Sequence, residues 1–130
     1  MFKKRFISIL ALLLMAVSGA WATITVTWNN NDITGSGNSF SKDGVTITAG
    51  SIDFDEKTFE ENGTFTTTLG NFTKIEVTAM DVDVSGTGWS GSDSKMTWTG
   101  TPASSVSFVG DIFSFGMGNT KLVFTIQPKN

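Results

Sequence analysis

The chain has 130 residues, a formal net charge of −3, and neither cysteine nor histidine. Those absences exclude disulfides, thiolate zinc sites, and every catalytic triad or general base that depends on a thiol or an imidazole. Twelve carboxylates against nine basic residues argue against nucleic acid as a partner, since that affinity rests on Lys and Arg neutralising phosphates, and against an anionic membrane surface.

The first element is a leader. Lys3, Lys4 and Arg5 precede an apolar run from Phe6 to Val17, followed by Ala20-Trp21-Ala22. This is the pattern of a bacterial secretory signal peptide, residues 1–22, with cleavage expected after Ala22. A retained anchor is the alternative, but the apolar run falls short of the ~20 residues that a spanning helix needs. No cysteine follows the run, so a lipid-modified N-terminus is excluded. The remainder, residues 23–130, suits a single domain without a membrane span. It holds six lysines, no arginine and twelve carboxylates.

Short period-2 runs follow, as half-buried strands require, and no amphipathic helical pattern interrupts them. Ile24, Val26 and Trp28 alternate with Thr25 and Thr27, which makes Trp28 a core candidate. In FSKDGVTITA, Phe40 to Ala49, Asp43-Gly44 suits a two-residue type I′ turn. Pairing Lys42 with Val45 then sets Phe40 opposite Ile47, so turn chemistry and apolar pattern agree. Asn62-Gly63 resembles a second hairpin turn, yet a strict two-residue loop would put Phe59 and Phe65 on opposite faces. A bulge or a longer loop is therefore expected there.

TKIEVTA (Thr73 to Ala79) and TKLVFTI (Thr120 to Ile126) share one pattern and read as two equivalent strands. Between them Met96 and Trp98, then Val106 and Phe108, alternate with Thr and Ser. Strands are expected near 23–29, 39–42, 45–49, 51–55, 64–69, 73–79, 95–99, 104–109 and 120–127. The fold class is all-β: a two-sheet antiparallel β-sandwich, jelly-roll or Ig-like, with a closed barrel as the alternative.

Taken together, "FSKDGVTITAG", "GTFTTTLGNFTKIEVTA", "SGTGWSG", "WTGTPASSVSFVGDI" and "KLVFTI" resemble a module recurrent in exported and surface proteins of Bacteroidetes. The likeness runs from about Trp28 to Ile126. It implies an exported all-β module, often found beside adhesin-like, leucine-rich-repeat or carbohydrate-handling segments, and it brings no catalytic or ligand residues with it. This chain is expected to differ in standing alone, without such a neighbouring segment.

Three candidate sites emerge. Asp81-Val-Asp83-Val-Ser85-Gly86 matches the first half of a calcium loop, in which alternate oxygens wrap the cation, but the twelfth position is Ser92 where a bidentate Glu is needed. The competing reading is a strand with Val82 and Val84 inward and Asp81 and Asp83 in solvent, which needs a bulge near Ala79-Met80 to reverse the parity of Ile75 and Val77. A sugar platform is the second candidate: Trp89, isolated in Ser-Gly-Thr-Gly-Trp-Ser-Gly, with Asp83, Ser85, Ser90 and Asp93 supplying hydrogen bonds. Against it stands a Trp89 folded over the core, the usual fate of a large aromatic. Third, Phe113, Phe115 and Met117 either cover the core or form a partner-facing patch.

Carboxylate pairs at i and i+2, Asp53 with Asp55 or Asp81 with Asp83, share one strand face and do not flank a scissile bond as a glycosidase pair must. No enzyme activity is expected. Asn29 to Asp32 reads as a turn in preference to a cluster of sugar-binding amides. The expected function is an exported, non-catalytic interaction module whose partner is a surface protein or a glycan. The alternative is a carbohydrate-binding module that uses Trp89, with a structural calcium at Asp81, Asp83 and Ser85.

Overall fold

Threonine, valine, isoleucine and phenylalanine dominate the period-2 runs, and these side chains pack well on a pleated, half-buried surface. The computed structural model describes residues 22–129 and folds those runs into ten strands. The expected leader, save Ala22, lies outside the described residues. One five-stranded sheet has the order β1-β10-β5-β8-β7, with β1 (Ile24–Asn29), β10 (Lys121–Pro128), β5 (Gly70–Thr78), β8 (Lys95–Ala103) and β7 (Trp89–Gly91). The other has the order β2-β3-β4-β9-β6, with β2 (Ser39–Lys42), β3 (Val45–Asp53), β4 (Thr58–Thr67), β9 (Ser105–Phe113) and β6 (Asp81–Ser85).

All pairings are antiparallel, and β1 with β10, β4 with β9, and β5 with β8 nest inside one another. That nesting is a ribbon folded over itself, the winding of a jelly roll. The β2–β3 hairpin is an addition on one side. Both sheets turn their apolar face inward, so Trp28, Phe65, Phe72, Phe124, Ile47, Ile75 and Leu122 form one buried core. A 3₁₀ turn, Asn30–Asp32, follows β1.

The Asp43-Gly44 turn forms as its residues require, with φ of 55° and 84° and the register Lys42 to Val45 and Phe40 to Ile47. Gly44 meets the second of those positive angles without a Cβ penalty.

Asn62-Gly63 is not a hairpin turn. Residues 54–57 make the turn, the expected strands 45–49 and 51–55 are one strand, and Asn62 and Gly63 lie inside β4. The expected bulge is there: between the pairs Ala49 to Gly63 and Ser51 to Glu60, Glu61 and Asn62 face Gly50 alone. Glu61 and Asn62 both take positive φ, 65° and 70°. Phe59 and Phe65 are consequently both buried.

No bulge reverses the parity at Ala79-Met80. The chain leaves the first sheet after Thr78 and enters the second at Asp81, and because the sheets face each other the inward positions reset. Val82 and Val84 are accordingly buried, as are Ile75 and Val77.

Candidate functional site

β6 is extended, so the side chains of Asp81, Asp83 and Ser85 stand at successive outward positions, all three exposed. Alternate residues along a strand are nearly 7 Å apart, so they do not wrap one point as a calcium loop must. Among the described residues no group of three carboxylates is placed to hold a metal ion. Asp81, Asp83 and Ser85, expected to form a calcium loop, lie instead along an extended strand, without a turn that would bring their oxygens round one point.

Trp89 begins the short strand β7 and does not stand out from a loop. It is 9 % exposed, its Nε1–H donates to the Ser107 carbonyl on β9 at 3.0 Å, and its ring lies 6.2 Å from Phe108 and 6.4 Å from Phe65. Too little of the indole is therefore exposed to offer a sugar a flat face. Ser90 is exposed on the other side of β7, Asp93 lies in the following turn, and Asp83 belongs to the opposite sheet. The four residues of the expected platform, Trp89, Asp83, Ser90 and Asp93, form no common surface with an indole at its centre.

Trp28 does at the other side what Trp89 does here. Its Nε1–H donates to the Lys42 carbonyl at 3.2 Å, joining β1 to β2 across the two sheets. Each open side of the sandwich is closed by one indole.

A shallow uncharged groove of about 460 Å³ lies beside the β6–β7 turn, between Ser85, Thr87, Trp98, Ser105 and Ser107. Trp98, not Trp89, is the indole in its wall. A Cβ on Gly88 would meet Trp98 Nε1 at 2.5 Å, so glycine lets the turn lie directly over the indole and leaves little of it open to a ligand.

The third candidate is displayed. Phe115 is 52 % exposed and Met117 47 %, in the connection between β9 and β10. Phe115 stacks on Phe113 with ring centroids 5.5 Å apart and planes 6° from parallel. It also holds φ at 53°, a left-handed conformation that is a true outlier for a bulky side chain. Such strain costs about 1–3 kcal/mol and persists only where surrounding structure fixes it.

Here the fixing contacts are clear. Gly116 N–H donates to the Glu56 carbonyl (2.8 Å), and Met117 N–H to the Ser114 carbonyl (2.9 Å). Below them Ser114 is fully buried: its N–H donates to Thr58 Oγ1 (3.3 Å), and its hydroxyl accepts from that of Thr120. The loop is thus anchored at its base while its aromatic tip stays in solvent. Asp81, the first residue of β6 and the ladder partner of Phe113, and the half-exposed Met80 before it lie on one flank. The Glu56 carboxylate and the Asp55 backbone carbonyl border Gly116 on the other. The patch has an apolar centre and an acidic rim.

The alternation Phe113, Phe115, Met117 was visible in the sequence; the left-handed backbone that turns Phe115 outward was not, since nothing in a Phe-Ser-Phe-Gly run signals positive φ at the second Phe. Comparison with protein-family models, with curated proteins and with solved structures finds no match to this chain.

Proposed function

We propose that the protein is an exported, non-catalytic β-sandwich module that docks a protein partner through the Phe113–Phe115–Met117 patch. Export rests on the basic, apolar and Ala-x-Ala segments of residues 1–22. Docking rests on one observation: Phe115 is half exposed and held at φ 53°. That arrangement opposes both hydrophobic burial and backbone preference, and a loop anchored by buried hydroxyls maintains it. Exposed aromatics and methionines are the side chains that anchor protein interfaces. The acidic rim of Glu56 and Asp81 favours a partner with lysine or arginine around an apolar contact. The glycan reading loses support, because it depended on the indole of Trp89, which is buried.

A photo-crosslinking aromatic residue at position 115, in the full chain expressed in its host, is expected to give discrete protein adducts. The same residue at Thr66, on the outer face of the second sheet, is expected to give none. Phe115→Asn, whose side chain tolerates the left-handed region, should leave the melting midpoint within a few degrees and abolish partner retention. Equal adducts at 115 and 66, or glycan retention insensitive to Phe115→Asn, would overturn the reading.

A further inference from the structure

A sandwich of two open sheets has four edge strands, and unpaired edges invite other chains unless they are blunted by shortness, charge, proline or a bulge. Three of the four edges here are blunted. β7 has only three residues, and β6 turns Asp81 and Asp83 to solvent. β2 has four residues, ends in Lys42, and has that residue's carbonyl held by the Trp28 indole. β1 is different. It is six residues of ITVTWN, with no charge, no proline and an unbroken register against β10, and among the described residues nothing pairs with its outer edge.

The direction of its free backbone groups follows from one bond. Asn29 N–H donates to Asp32 Oδ2 at 2.7 Å, so it points away from β10. Antiparallel alternation then turns the N–H and C=O of Thr25 and Thr27 outward as well. The same alternation, carried across the sheet through Lys121 and Thr78 to Lys95, requires Lys95 to face β7. Its N–H does donate on that side, to the Ser92 carbonyl at 3.3 Å.

From this edge we infer that two copies of the chain pair β1 to β1 in antiparallel fashion about a twofold axis at Val26, joining their first sheets into one. The edge is self-complementary about that point. Thr25 of each copy comes opposite Thr27 of the other, so both outward-facing residues exchange backbone hydrogen bonds and form Thr–Thr cross-strand pairs. On the inner face Ile24 meets Trp28 and Val26 meets Val26, which extends the apolar layer. The register cannot shift toward Asn29, because its N–H is already occupied by Asp32. Charge permits the contact: the chain is acidic, yet neither β1 nor β10 contains a carboxylate. An isologous, closed contact of this kind is the commonest way in which copies of one chain associate.

Sedimentation equilibrium on protein produced from the full chain tests this. A concentration-dependent dimer is expected. Thr25→Lys with Thr27→Lys sets like charges opposite each other twice and should weaken it by roughly tenfold or more. Thr25→Glu with Thr27→Glu should do the same, and mixing the two double variants should restore the dimer as a heterodimer, an outcome that also shows both variants to be folded. Phe115→Asn should leave dimerisation unchanged, so this inference and the docking patch fail independently. A monomer at all concentrations, a dimer indifferent to either charge pair, or variants that remain apart when mixed would overturn it. So would pairing only with an extended segment of another protein.

Discussion

Two indoles decide how the sandwich is closed. Trp28 meets Phe40 and Phe124 edge-on, each with ring centroids 4.8 Å apart, while Trp89 packs on Phe65 and Phe108. Both donate an Nε1–H across the gap between sheets, which satisfies the one polar atom that burial of a tryptophan would otherwise strand. Truncating either residue to Ala should cost about 3–5 kcal/mol in urea unfolding, as large core deletions do. Trp89→Phe is expected to cost only about 1 kcal/mol, because most of the ring area is kept and one hydrogen bond is lost. The comparison separates the structural role of Trp89 from a ligand role: a sugar platform would tolerate truncation in the melt and fail in glycan retention.

Among the elements, β4 shows most clearly how a local irregularity is held. The bulge at Glu61 and Asn62 is cross-braced to β9: Glu61 N–H donates to Asp111 Oδ1 and Gly110 N–H to Asn62 Oδ1, both at 2.9 Å. Asn62 thus supplies an acceptor and also tolerates positive φ. Asn62→Ala loses both and should destabilise by about 1–3 kcal/mol in equilibrium unfolding. Asn62→Gly keeps the conformational tolerance and should cost less. The reverse order would show that the positive φ at this position carries no backbone strain.

At the scale of the whole molecule, stability rests on one apolar core and two hydrogen-bonded sheets, with little from charge. The described residues contain two ion pairs, Lys42 with Asp43 and Lys74 with Glu76, both at the surface. Lys74, hydrogen-bonded to it at 2.9 Å, holds the Glu76 carboxyl below its ordinary value, outweighing the small opposing effect of burial. A lowered folded-state pKa contributes stability that is present above the unfolded value near 4.5 and is lost as pH falls through the folded value. The pair is exposed, so its worth is below about 1 kcal/mol. Glu76→Gln should therefore lower the melting midpoint by a degree or two at pH 7, with the difference closing below pH 4. Without histidine or cysteine, the midpoint of the parent protein should stay nearly flat from pH 6 to 8, as a thermal scan at each pH would register.

The sequence by itself determined which residues face inward and where the first hairpin turns. Period-2 alternation is a local signal, and Asp43-Gly44 carries its turn geometry in its own two residues. It also marked Trp28 as core, since Ile24 and Val26 precede it at alternate positions. Tertiary structure decided what has no local signature. Trp89 lacks alternating neighbours because β7 is only three residues long, and its burial comes from Ser107, Phe65 and Phe108 in the other sheet. Val82 and Val84 changed parity through a crossing between sheets, which a strand-by-strand reading can express only as a bulge. The same holds for the exposed Phe115 and the free edge of β1. Whether an apolar side chain or a backbone donor finds a partner depends on what the rest of the chain brings beside it.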